Sequence, residues 1–167
     1  MKENNAAYID GQNLYLGTKK SKDSWEVSYK KFRIYLKDKY KVKNAYYFIG
    51  VKEEKFVEMY KLIEKAGFTL KFRKHNTKST SSKKGNVDVD IVYSILTDVL
   101  QYKNTNKVVL VSGDGDFARV VDFLIKNKKF KKLLLPSFKN YSSLYNHLRS
   151  NYRSFLEKPL IKKKIKK

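Results

Sequence analysis

Nine aspartates stand in a chain otherwise dominated by lysine, and five of them fall in three places: Asp10, the pair Asp88 and Asp90, and the pair Asp114 and Asp116. Asp10 ends the short apolar run of residues 6–10 just ahead of Gly11, while Asp114 and Asp116 follow the apolar run of residues 107–112 in VSGDGDF. Read as parallel strands, both runs deliver carboxylates to the edge where a doubly wound sheet has its ligand crevice. Asp88 stands four, seven and eleven residues before Val92, Ile95 and Val99, so helical periodicity puts it on their inward face. It also falls in the first turn, where exposed N–H groups favour a carboxylate. Asp90 points away by the same periodicity. Converging carboxylates repel one another and persist where a cation neutralises them. An oxygen donor set with no cysteine and no nearby histidine selects Mg²⁺ or Mn²⁺ over zinc. Beside a basic surface, such an ion suits phosphodiester chemistry, activating water and stabilising developing negative charge.

Each acid alone has a plain structural use: Asp114 in a turn, Asp116 as a helix cap, Asp10 in an Asx-turn. Their shared edge is what singles them out. Lys83 and Lys84 precede Asp88 and are placed to meet phosphate at the mouth of the site, or to line a solvated loop. Arg119, one turn into the helix after Asp116, reaches either the acids or a phosphate, or lies on the surface. His75 and His147 are isolated and read as structural or surface residues. Tyr15 and Trp25, in a loop after the first strand, offer rings for stacking on unpaired bases, with core packing favoured for Trp25.

The elements that must position these residues alternate. Strands are expected over residues 6–10, 45–51, 69–73, 107–112 and 132–136, and helices over 27–40, 53–66, 87–102, 117–127 and 142–148. Near-continuous apolar strands separated by helices indicate an α/β protein with a parallel sheet of about five strands flanked by helices. Residues 1–157 read as one domain and 158–167 as a basic C-terminal tail without helical periodicity. The Ser/Thr/Lys-rich segment 74–86 reads as a second mobile stretch.

Composition restricts the partners. The chain has 167 residues, 38 Lys and Arg against 16 Asp and Glu, and a net charge of +22. With 41% apolar and 14% aromatic residues it can bury a core, so it is not a disordered polycation. Nucleic acid is the first candidate partner for such a surface. Six of the last ten residues are lysine, Lys162, Lys163 and Lys164 among them, and these are expected to add sequence-independent affinity. The absence of cysteine excludes disulfides, thiolate zinc sites and a Cys nucleophile. No run of 18 apolar residues and no signal-like N-terminus occurs, so a cytoplasmic protein without a membrane partner is expected.

YIDGQN near the N-terminus, KKGNVDVDIVYSIL in the middle and VLVSGDGDF after a strand together resemble the NYN-domain group of PIN-like nucleases. Order and spacing match over roughly residues 8–155. The resemblance implies a Rossmann-like PIN fold and a Mg²⁺- or Mn²⁺-dependent endoribonuclease acting on single-stranded or structured RNA, with RNA preferred over DNA. It implies metal-site roles for Asp10, Asp88, Asp114 and Asp116, a role for Asn13 in orienting water or phosphate, and support of the turn by Ser112. Many relatives carry a further acid where this chain has Ser94. That departure leaves a catalytically weak or inactive nucleic-acid-binding or adaptor protein as the alternative. A haloacid-dehalogenase-like phosphatase is excluded because Asp10-Gly11-Gln12-Asn13 lacks its D-x-D. A receiver is excluded because Arg73 and Lys74 stand where its phosphorylated aspartate belongs.

Overall fold

Apolar runs too long to alternate must be covered on both faces, and that requirement sets the architecture. The computed structural model describes residues 4–20, 23–73, 87–101 and 105–167. Among these, the strands are β1 (Asn5–Asp10), β2 (Val42–Ile49), β3 (Thr69–Phe72), β4 (Val108–Val111), β5 (Phe130–Leu135) and β6 (Arg153–Phe155). They form one sheet in the order β3-β2-β1-β4-β5-β6, with all neighbours parallel. The helices are α1 (Gly11–Thr18), α2 (Tyr29–Tyr40), α3 (Val57–Lys65), α4 (Val87–Leu96), α5 (Ala118–Lys126) and α6 (Pro159–Ile165).

Every residue of β1 is buried, as befits the central strand of such a sheet. Its side chains alternate between two cores. Ala7 and Ile9 join Leu14, Phe32, Leu36, Ile63 and Ile165 on the face covered by α1, α2, α3 and α6. Ala6 and Tyr8 join Ile91, Ile95, Val121 and Leu124 on the face covered by α4 and α5. The strand order reverses direction between β1 and β4, which makes the carboxyl ends of those two strands the switch point of the sheet.

Local chemistry explains the elements. Ser28 caps α2 by accepting from the Lys31 N–H at 3.4 Å, and Phe32, Tyr35, Leu36 and Tyr40 fall on its buried stripe. Lys41 ends the helix in the left-handed conformation at φ 55°. In α5 the buried stripe is Ala118, Val120, Val121 and Leu124. No helix among the described residues is long and apolar enough to cross a membrane.

Four expectations are corrected. The sheet has six strands rather than five, because β6 spans three residues, too few to show a period. Gly11 opens α1 instead of a loop, since the Asp10 carboxylate supplies that helix's cap. Tyr15 therefore lies on a helix, while Trp25, in the segment between α1 and α2, is buried as core packing led one to expect. The helix expected over 142–148 is a single 3-10 turn, Ser143–Tyr145, capped by the Ser142 hydroxyl.

The fourth correction concerns the basic tail, which forms α6. Ile165 is fully buried, the Lys162 amino group sits 5.2 Å over the Trp25 ring, and Lys166 forms an antiparallel bridge with Val27. One apolar side chain per turn anchors the segment, a signal that lysine-rich composition conceals. Ile165→Ala should lower the unfolding free energy by about 2–5 kcal/mol in urea denaturation. Lys163→Ala, at an exposed position of the same helix, should stay within about 0.5 kcal/mol of the parent. Equal midpoints for all three proteins would show that this segment contributes nothing to the core.

Candidate metal centre at the switch point

The ladder between β1 and β4 ends at the pair Ile9 and Val111. Beyond it the two chains part toward opposite faces of the sheet, and side chains take over the connection. Asp10 is 6% exposed. One of its oxygens accepts from the Asn13 backbone N–H at 3.0 Å, closing the first turn of α1. The other accepts from the Ser112 hydroxyl at 3.0 Å, across the seam between the strands. Ser112 Oγ in turn accepts from the Asp114 N–H at 3.1 Å, and Asn13 Oδ1 accepts from the Gly113 N–H at 2.7 Å. Asp10, Asn13 and Ser112 thus lock two loops into one unit.

Glycine is required at two of these positions by close approach. A Cβ on Gly11 would stand 2.5 Å from the Tyr47 ring and 2.7 Å from the Phe48 carbonyl oxygen. A Cβ on Gly113 would meet the Asn140 carbonyl oxygen at 2.8 Å. The loop between β5 and β6 lies against the turn there, held by the Ser142 N–H donating to the Gly113 carbonyl at 2.8 Å.

Asp114 caps the 3-10 turn Gly115–Phe117, its side chain accepting from the Asp116 N–H at 3.0 Å. From the β5–β6 loop, the Tyr145 hydroxyl donates to the Asp114 carbonyl oxygen. Burial raises the Tyr145 phenol above its ordinary value, and the charges of Asp114, Asp116, Asp122 and Asp10 raise it further, so it stays protonated and donates. Asp88, in the first turn of α4, is brought to the same place. The carboxylates of Asp88, Asp114 and Asp116 each offer an oxygen within 4.8 Å of the others. Asp88 and Asp114 are half-buried and Asp116 is exposed. Two oxygens on opposite sides of one Mg²⁺ lie about 4.2 Å apart, twice the metal–oxygen bond. Oxygens held within 4.8 Å of one another are therefore near the spacing that one such ion spans. Three carboxylates with neither sulfur nor nitrogen among them fit a hard divalent cation.

Asp10 adjoins this trio without belonging to it. Asp90 and Ser94 line a neighbouring cavity instead. Arg119 is exposed on α5, three residues beyond Asp116, and His147 pairs with Asp122 at 3.1 Å. Lys162 packs on Trp25, whereas Lys163 and Lys164 are exposed on α6. Lys83, Lys84 and His75 lie outside the described residues. Sequence reasoning did not find Tyr145 or Ser142. Their only signal is a Ser/Tyr-rich stretch after β5, and spacing alone cannot attach it to the turn after β4.

The model of the NYN domain matches residues 5–154. The chain belongs to the NYN-domain family. Over 168 aligned residues, this NYN domain is 25% identical to the low amplitude and bright protein LabA of Synechococcus elongatus, covering 92% of this chain and 87% of LabA. Its fold is similar to the crystal structure of a protein of unknown function from Vibrio parahaemolyticus, with a TM-score of 0.75, 22% identity and 94% of each chain covered.

Burial raises the Asp10 carboxyl above its ordinary value, the Asp114 charge adds to that, and the hydrogen bonds from Asn13 and Ser112 oppose it. A carboxyl raised by folding holds its proton more tightly in the folded protein. Its contribution to stability is therefore lost as pH climbs from the ordinary carboxylate value, about 4, through the raised one. In chelator, urea unfolding at a series of pH values should show the parent losing ground to Asp10→Asn across that window, then levelling. A difference that moves in the parent's favour would mean that the donated bonds outweigh burial.

Proposed function

We propose that this NYN domain is a Mg²⁺- or Mn²⁺-dependent endoribonuclease. The observation that carries the reading is the convergence of Asp88, Asp114 and Asp116 at the switch point of a strongly basic domain. In this reading the three carboxylates hold the cation. When bound, the cation supplies an activated water and neutralises charge developing on the phosphate. Asp10, Ser112 and Asn13 act as positioning residues, because their bonds fix the turn that carries Asp114 and Asp116. The Tyr145 hydroxyl holds the same turn from the other side. Arg119, exposed beside the acids, is placed to meet a phosphate, and the lysines of α6 add charge that draws in the backbone. RNA rather than DNA is the proposed substrate on the resemblance to NYN-domain nucleases, since charge alone serves either nucleic acid.

A second reading, a nucleic-acid-binding domain without turnover, is favoured by one observation. Ser94 occupies the place where many relatives have an acid, and it lines the cavity rather than the trio. Substitution separates the two readings. Asp114→Asn keeps a side-chain oxygen able to cap the Gly115–Phe117 turn, so the fold should persist while one anionic ligand is lost. Cleavage of labelled RNA in Mn²⁺ should fall by about 100-fold or more, with affinity unchanged or higher because repulsion of the backbone is reduced. Chelation should abolish cleavage by the parent. Cleavage by Asp114→Asn at the parental rate would confine Asp114 to its turn, and a parent that binds but never cleaves would establish the second reading.

A further inference from the structure

A cavity of about 520 Å³ opens between the carboxyl ends of β2 and β3 and the first turns of α4. That volume is within the range of pockets that hold small organic groups, about 300–1,000 Å³. Phe48, Phe72, Val89 and Tyr93 supply aromatic and apolar lining, and Lys71 and Arg73 supply positive charge. Among the described residues, Asp90 is the one acid in the lining. Val89 and Tyr93, one helical turn apart, are 63% and 69% exposed. A helix face turned to water is ordinarily polar, so two large apolar side chains beside a concavity mark a surface with a use. The amino group of Lys71, a lining residue, lies 5.6 Å from the neighbouring Tyr46 ring centroid. Flat apolar walls under a cationic rim suit a ligand with a π-face and a negative charge, which is the chemistry of a nucleotide.

Position makes this specific. Asp88 stands between Val87 and Val89, both of which line the cavity, so one turn of α4 is a wall shared with the acid trio. A strand with a phosphate at the trio brings an adjacent nucleotide to the cavity mouth. Bases inside a duplex are stacked on one another and cannot enter; an unpaired base can. We infer that this cavity is a subsite for one unpaired base next to the cleaved phosphate, with Tyr93 as its stacking face and Lys71 and Arg73 on the neighbouring backbone. The inference rests on the nuclease reading of the acid trio for its register, but its test does not depend on cleavage.

Fluorescence anisotropy with a labelled oligouridylate of about ten nucleotides, and with a blunt RNA duplex of equal length, both in chelator, reads the subsite directly. Tyr93→Ala should weaken binding of the single strand roughly 5- to 100-fold while changing duplex affinity less than twofold. Tyr93→Trp should restore the single-strand affinity, because the indole stacks as well as the phenol. Lys71→Gln should make the salt dependence shallower by about one charge. Single-strand affinity unchanged in Tyr93→Ala, or lost equally for strand and duplex, overturns the subsite. So does a change from dimer to monomer in light scattering with RNA affinity intact, which would make this face a contact between copies of the chain. Tyr93-dependent binding by a parent that never cleaves in Mn²⁺ would sustain the subsite and refute the nuclease reading. Normal cleavage with Tyr93-independent binding would do the reverse.

Discussion

The hydrogen bond between Ser112 and Asp10 does what the backbone cannot do at the switch point. Main-chain pairing of β1 with β4 stops at Ile9 and Val111, because the next residues must leave for opposite faces of the sheet. A doubly wound sheet opens a crevice wherever this happens, and an open crevice between diverging loops has no fixed width. Asp10 sets the width by accepting from one loop through Asn13 and from the other through Ser112. Asn13 adds a second tie to Gly113. The positions of Asp114 and Asp116 relative to α4 follow from these ties, since both ride on the turn that Ser112 begins. Asp10 is the most deeply buried of the candidate acids because this task requires it.

The acids consequently divide by environment although they share a residue type. Asp10 is desolvated and surrounded by donors, which makes its carboxylate costly to charge and rigid once charged. Asp88 and Asp114 are half-buried and Asp116 is exposed, so all three keep contact with water. A single buried acid that organises several wetter ones keeps the site assembled when no cation neutralises it.

The sequence made the parallel α/β architecture legible because β1, β2 and β4 are apolar runs whose burial is almost independent of context. The convergence of acids was legible for the same reason, since strand ends and the first turn of a helix are fixed by periodicity. Three things were not. The Asp10 cap turned the expected loop at Gly11 into α1, an effect of one side chain that a hydropathy pattern does not register. The three residues of β6 are too few for a period, and β6 exists because β5 offers it an open edge. The cavity at Tyr93 joins residues of β2, β3 and α4, and an exposed tyrosine on a helix announces nothing until the concavity beside it is known.

The basic C-terminus shows why charge has to be read together with its support. A flexible lysine tail loses conformational freedom whenever it meets a polyanion, so few of its charges engage at once. Here the segment is already ordered: Ile165 is buried, the Ser28 N–H donates to the Ile165 carbonyl at 2.8 Å, and the Lys167 N–H donates to the Glu26 carbonyl at 2.9 Å. α2 carries the chain from the carboxyl end of the sheet back to the start of β2, so Ser28, at its beginning, lies at the carboxyl end. The close of α6, with Lys163 and Lys164 exposed, is pinned there too. The positive charge of the C-terminal segment is thus held at the end of the molecule that carries the acid trio. Ordering was supplied by folding, and an approaching phosphate backbone meets cations that have little freedom left to lose.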